Sequence, residues 1–278
     1  MTSIGKGKAA NTLHEWQTDA LAAATTNAQI EGDDINALTA TATVRVQNYM
    51  QISTKAVVVS GTMDAVLKAG RKSELAYQMA KRGKELKRDM EQTLTGNQAG
   101  NAGSASAGRK TRALENWYGT NTSGGTSYAT ATGITATATD GTTRAFTESL
   151  LKNVLKSVFS AGGDPTMLMV GPFNKQVVSS FTGNATRFDK SEDKKLIASI
   201  DVYASDYGEL KVVPNRFQRE RTAHVLDLEY WSVSYLRPIQ VSDIAKTGDS
   251  EKKFMVVEYG LESRNEGASG VIADLTTS

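Results

Sequence analysis

The chain has 278 residues, enough for one large or two ordinary domains, and sets 32 Lys and Arg against 30 Asp and Glu for a formal charge of only +2. That even balance excludes a chain whose main task is neutralising nucleic-acid phosphates. The absence of cysteine excludes disulfides, thiolate nucleophiles and cysteine-based metal sites, and with only His14 and His224, far apart in the chain, a histidine-rich metal centre is excluded too.

The longest apolar runs are of the order of Met167–Val170, against the roughly 18 residues a bilayer demands, and the start shows no charged-then-apolar signal pattern. A soluble chain with no membrane partner is expected. Twenty-four glycines against four prolines suggest long strands and permissive loops rather than stiff, turn-rich modules.

Residues 1–34 are polar, with a short amphipathic stretch, Leu13-His14-Glu15-Trp16, ahead of the small-residue run Ala20–Thr26. Such a segment buries little alone and reads as an arm lying on something else. From Leu38 to Thr62 the pattern turns to strands. Ala42, Val44 and Val46 alternate with Thr43, Arg45 and Gln47, and a second β-rich run covers Met50 to Val59. Two such runs back to back predict a long hairpin. Its apolar content is modest and an isolated hairpin is marginal in water, so it is expected to lie against a partner.

The spacing of Leu75, Met79, Leu86, Met90 and Leu94 predicts one helix over Asp64–Leu94, capped by Thr62 or Asp64 and ended by Gly96. At ~1.5 Å per residue it would be a rod of roughly 45 Å with a narrow apolar stripe. Gly83 sits in its middle, at a cost of roughly 1 kcal/mol relative to Ala. Either another backbone approaches closely there, or the helix bends there.

Residues 96–108 form a small-residue loop and 109–117 an amphipathic island. In 119–143, 21 of 25 positions are Thr, Gly, Ala or Ser, so no core can form there; a long loop or flexible strand pair separating two halves is expected. The second half reads as α/β: helices at Phe146–Ala161 and from Pro172, and strands at 167–170, 196–203, 210–213, 224–228, 232–241 and 253–262.

No catalytic constellation emerges. Gly103–Gly108 lacks the Lys directly after the second Gly and the preceding strand that a phosphate loop needs. Glu31, Asp33 and Asp34 read as a solvated acidic turn rather than a calcium loop. His224 opens an apolar strand and reads as a core histidine, and His14 beside Trp16 as packing. Asp227 and Glu229 share a strand face, where such pairs are routine. The basic helix 68–88 carries interspersed acids, which argues for a solvated or intersubunit face over nucleic acid. No catalytic, cofactor-binding or metal residues are assigned, and no cofactor.

The order of arm, long hairpin, long helix, small-residue loop and α/β domain suits a shell subunit. The chain resembles tailed-phage major capsid proteins of the Hong Kong 97 fold, more narrowly the subfamily typified by the phage SU-ten. The resemblance rests on Asn11–Gln17, Asn48–Ile52 with Val59–Thr62, Thr166–Lys175, Leu226–Trp231, Tyr235–Pro238, Lys246–Lys253 and Val257–Tyr259, in order along nearly the whole chain.

The resemblance implies an α+β fold with an N-terminal arm at 1–30, shortened because Met1-Thr2 begins almost on the matching segment. It further implies a β-hairpin extended loop at 31–63, a peripheral domain at 64–143 and 224–278 with its spine helix at 64–95, and an axial domain at 144–223. Its implied function is structural: hexamers and pentamers closing an icosahedral shell around double-stranded DNA, assembled in the host cytoplasm with portal and scaffolding proteins. An encapsulin-like compartment and an α/β enzyme are the alternatives. Val44, Arg45, Val46, Tyr49 and Lys55 are the expected intersubunit contacts and Gly83 the expected spine-helix pivot.

Overall fold

The computed structural model describes residues 3–32, 40–66, 70, 72–181 and 201–278. Near the N-terminus stand β1 (Gly5–Lys8), β2 (Leu13–Thr18), β3 (Val44–Tyr49) and β4 (Gln51–Ser60), followed by α1 (Gly61–Ala65) and α2 (Glu74–Thr95). Then come β5 (Thr122–Ser123), α3 (Glu148–Ser160), β6 (Met167–Val170), α4 (Pro172–Ser179), β7 (Val202–Ser205) and β8 (Gly208–Pro214). The chain finishes with β9 (Ala223–Leu226), β10 (Trp231–Ile244), β11 (Ser250–Ser263) and β12 (Gly270–Ile272).

The strands fall into a four-stranded sheet, β1-β10-β11-β4, a six-stranded sheet, β5-β12-β9-β6-β8-β7, and a separate ribbon, β2-β3. The two β-rich runs of the N-terminal third therefore do not pair with each other. β3 lies antiparallel to β2, from Leu13 opposite Tyr49 to Thr18 opposite Val44, whereas β4 runs antiparallel to β11. The reason is local: only Met50 separates β3 from β4, and a hairpin needs at least two turn residues to reverse the chain. The chain instead runs on and exchanges partners at this point. Met50 is buried there, and a Cβ on Gly260 would lie 2.5 Å from its Cε. Only glycine lets the methionine pack so closely.

The expected rod over 64–95 is two helices. Ser60 caps α1 by accepting from the Met63 amide, and Ser73 caps α2 by accepting from Ala76. Gly70 between them has φ +79°, a left-handed conformation no α-helix contains. Lys68 and Arg71 lie outside the described residues. The 22 residues of α2 span roughly 33 Å, and its stripe is as spaced: Met79, Leu86, Met90 and Leu94 are buried against the four-stranded sheet with Val57, Val59, Met255 and Val257. Fully burying such side chains stabilises by about 1.5–3 kcal/mol each.

β6 lies at the centre of the second sheet, parallel to β8 and antiparallel to β9. Its four residues are all buried, as a strand covered on both faces requires. Met167 and Met169 face the core shared with α2, and Leu168 and Val170 face α3 through Val154, Leu155 and Val158. Because β9 and β12 belong to this sheet, a division at 223/224 would cut between hydrogen-bonded strands. Of the expected strand 196–203, residues 196–200 lie outside the described residues.

The 119–143 tract is not a spacer. It is laid on the body, with Ala131 and Ala138 buried. Asn116 Oδ1 accepts the Ala138 amide at 2.7 Å, Asn97 Nδ2 donates to the Ala138 carbonyl at 2.8 Å, and the Gly100 amide donates to the Ile134 carbonyl at 2.8 Å. Main-chain hydrogen bonding replaces the missing apolar side chains.

Candidate subunit interface

The ribbon β2–β3 is anchored at one end and bare at the other. At its root Trp16 packs against Trp117 with the rings tilted and their centroids 5.7 Å apart, and its indole Nε1 donates to the Ser263 carbonyl at 2.8 Å. His14 Nε2 lies 3.1 Å from Glu262 Oε2. Ser234 and Arg264 donate to the same carboxylate, and these hydrogen bonds, His14's foremost, hold it down to about 2 despite its burial. Where the strand passes from β2 to β11, buried Asn48 supplies the missing ladder bonds. Its Nδ2 donates to the Leu261 carbonyl and Thr111 Oγ1, and its Oδ1 accepts from the Arg112 amide.

Beyond Thr18 the chain has no regular structure through residue 30 and lies fully in solvent. Leu21 is 100% exposed and Ile30 77%. Both are apolar surface that the described residues of this subunit leave largely uncovered.

The residues singled out from the sequence separate accordingly. Val44, 64% exposed, stands at the free end of the ribbon, and Arg45 beside it reaches Glu15 at 3.8 Å. Val46, on the same strand face, is half-buried and leans on the core of the chain's own body. Tyr49 is half-buried at the root opposite Leu13. Lys55 lies in β4 opposite Met255, not in the ribbon, and pairs with Asp89 of α2 at 2.7 Å; its ammonium is engaged within the subunit.

Gly83 lies inside an unbroken α2, and a Cβ there would meet only the end of Met255, at 3.6 Å. Among the described residues of the subunit, no other backbone comes within 4 Å of that position. Gly83 instead floors a groove of about 670 Å³ with Ala76 and Ala80, walled by Ile239 and Val241 from β10. Its charged lining is all lysine: Lys84, Lys87 and Lys253, the last paired with Asp243 at 3.0 Å. The exposed ribbon segment 19–32 has only Asp19 and Glu31 as charges.

The residues weighed for chemistry have structural partners. His224 is wholly buried, with Nδ1 3.2 Å from the Tyr118 hydroxyl and Nε2 3.2 Å from Thr222 Oγ1. Burial pushes it down to about 3, so it is neutral. Asp227 is past the end of β9 and caps a 3₁₀ turn by accepting from the Glu229 amide, so the two carboxylates do not share a strand face. Gly103 turns with φ +78° in a loop closed by the Asn101–Lys110 bridge, and only a three-residue 3₁₀ turn follows, at Leu114–Asn116. Asp33 and Asp34 lie outside the described residues. Among the described residues no three His, Asp or Glu side chains converge as a metal site, and no helix is long and apolar enough to cross a membrane.

This architecture matches solved shell proteins over almost its whole length. The satellite phage P4 procapsid subunit superposes with TM-score 0.62 at 11% identity, over 100% of this chain and 87% of that one. A chain from the capsid of a native GTA particle gives 0.63 at 8% identity, over 99% and 89%. The SrpI encapsulin of Synechococcus elongatus PCC 7942 gives 0.57 at 10% identity, over 98% and 85%. The fold is thus that of the Hong Kong 97-like capsid subunits. A family model described as SU10 major capsid protein matches residues 1–276, and the chain belongs to that family. The major capsid protein of Escherichia phage Phieco32 is 28% identical over an alignment of 310 residues, covering 98% of this chain and 88% of that protein. The protein is a structural capsid subunit, a component of the virion.

Proposed function

We propose that copies of this chain associate as hexamers and pentamers into an icosahedral shell that encloses double-stranded DNA, and that the chain catalyses no reaction. Assembly takes place in the host cytoplasm with portal and scaffolding proteins. The observation that carries this reading is the ribbon: its root is fixed to its own subunit by Trp16, His14 and Asn48, and the chain beyond β2 leaves Leu21 and Ile30 largely exposed.

The extended loop in this reading is the β2–β3 ribbon with the chain between its strands, residues 13–49, rather than 31–63. α2 is the spine, the four-stranded sheet belongs to the peripheral domain, and the six-stranded sheet with α3 and α4 forms the axial domain. The ribbon lies across a neighbour's α2. The small-residue floor at Ala76, Ala80 and Gly83 and the contrast of lysine rim and acidic ribbon support that seat. A net charge of +2 suits a wall that should not pin packaged DNA.

Electron microscopy of the purified chain tests the reading. Closed shells are expected from the natural sequence and none from Leu21→Asp, whose carboxylate would have to be desolvated at every contact, at several kcal/mol each. Normal particles from Leu21→Asp would remove the ribbon from the contact. The encapsulin likeness favours a second reading, a compartment filled with cargo protein; nucleic acid against protein inside native particles decides between the two.

A further inference from the structure

Asp140 of the 119–143 tract joins a row of charged side chains that lies beneath it. Glu115 Oε1 accepts from Arg219 Nη1 at 2.8 Å, and Arg219 Nη2 donates to Asp140 Oδ2 at 2.5 Å. Arg221 Nη1 lies 3.2 Å from the same Asp140 oxygen, and its Nη2 donates to Asp274 Oδ1 at 2.6 Å. Asp274 also accepts the amides of Gly125 at 3.0 Å and Gly141 at 2.9 Å, clasping the tract near both ends.

Three carboxylates thus meet two guanidiniums. The Asp140 carboxylate reaches solvent, whereas those of Glu115 and Asp274 are fully buried. Asp274 is satisfied by three donors. Glu115 has one: its Oε2 is buried and, among the described residues, accepts no hydrogen bond. The nearby Tyr128 hydroxyl, contributed by the tract, is likewise buried without a protein partner. A buried anion in excess of its cations, with half its acceptors idle, is the costliest member of such a row.

Among the described residues, the other charged or titratable groups facing it do not supply a third cation. Tyr118 and His224 on the inner side are neutral, and Arg144 spends its Nη2 on Ser123 Oγ at 2.8 Å and senses Asp274 only at longer range.

We propose that Glu115 is a proton-operated latch beneath this surface strap: the strap closes tightly over Glu115 when its carboxyl carries a proton and loosens when that proton leaves. Protonation leaves Arg219 with Asp140 and Arg221 with Asp274, a neutral row. Deprotonation restores the odd anion, which only opening can hydrate. The position of the titration agrees, since burial first of all raises the Glu115 carboxyl to about 7 from a usual 4.5, with Asp140 adding to the rise and Arg219 and Arg221 opposing it. The closed state therefore binds a proton the open state does not between those two values, and closure weakens as pH rises through that window.

Hydrogen exchange on the full chain reads the latch directly. After division by intrinsic exchange rates, the opening constant at the Gly125, Thr139, Gly141 and Thr142 amides should rise by up to roughly tenfold per pH unit between about pH 5 and 7. Amides of α3 and β6 should stay flat. In Glu115→Gln, which keeps an acceptor for Arg219, the strap should lose this slope. An equal slope in the variant, or a flat strap in the natural protein, overturns the latch. Should the variant fail to fold, infrared spectra of the natural protein decide instead. A buried protonated-carboxyl band at pH 6 that fades by pH 8 supports the latch, and its absence at pH 6 overturns it.

Discussion

Glu262 shows how a single side chain is committed by partners far away in sequence. His14, Ser234 and Arg264 all bond its carboxylate, so it stays ionised down to about 2 rather than the usual 4.5. A carboxyl depressed in the folded state stabilises above its unfolded value and loses that contribution as pH falls between about 4.5 and 2. Glu262→Gln should therefore cost about 1–3 kcal/mol at pH 7 and flatten the acid limb of a denaturation series run from pH 5 to pH 2. An acid limb as steep as that of the natural protein would show that the His14 contact is not formed in solution. His14 was legible in sequence only as packing beside Trp16, and the ring pair is there, at 5.3 Å; its carboxylate lies in β11, 248 residues away. Asn48 is legible in sequence only as part of the segment Asn48–Ile52, and its bridging role is not, because nothing local marks the point where a strand changes partners. The tract's fastening was equally hidden, since Arg219, Arg221 and Asp274 come from segments remote from it.

At the scale of the element, period-two alternation placed Val44 and Val46 on one strand face, and the structure separates them by depth. Val46 leans on the core while Val44 is mostly exposed. Val46→Asp should lower the unfolding midpoint of the isolated subunit by several degrees, for a loss of about 2 kcal/mol. Val44→Asp should leave that midpoint unchanged and still reduce the yield of closed particles. Equal thermal shifts for the two variants, or full particle yield from Val44→Asp, would mean the ribbon end is not a contact. The helical stripe of α2 was readable because period 3.6 needs only local sequence. Its true start was less so: Thr62 and Asp64 offer caps earlier in the chain, and only the left-handed turn at Gly70 separates α1 from the helix that Ser73 caps.

For the whole molecule, the lysine singled out from the sequence as an intersubunit contact is already engaged within its own subunit. Lys55 pairs with Asp89 of its own subunit at 2.7 Å, in a strand rather than at a ribbon tip. Shells of this protein should accordingly be held without covalent links, and hot detergent should return single chains of 29.8 kDa. A ladder of multiples on a denaturing gel would contradict this. Each contact then contributes modestly, and closure repeats it around the shell, which is why one exposed leucine per subunit can decide assembly.

The apolar stripe of α2, the helices α3 and α4, the strand β6, the buried role of His224 and the family all follow from the amino-acid sequence, because each depends on local periodicity or on motifs read in order. Which strand pairs with which does not. β3 and β4 look alike in composition, and only the closure of β11 against β4 and of β2 against β3 assigns them to different sheets. The tract at 119–143 has no apolar pattern to read, and its place is decided by charges and hydrogen bonds from segments outside it, Asn97, Asn116, Arg219, Arg221 and Asp274 among them. Such bonds depend on where distant segments come to rest, and tertiary structure alone sets that.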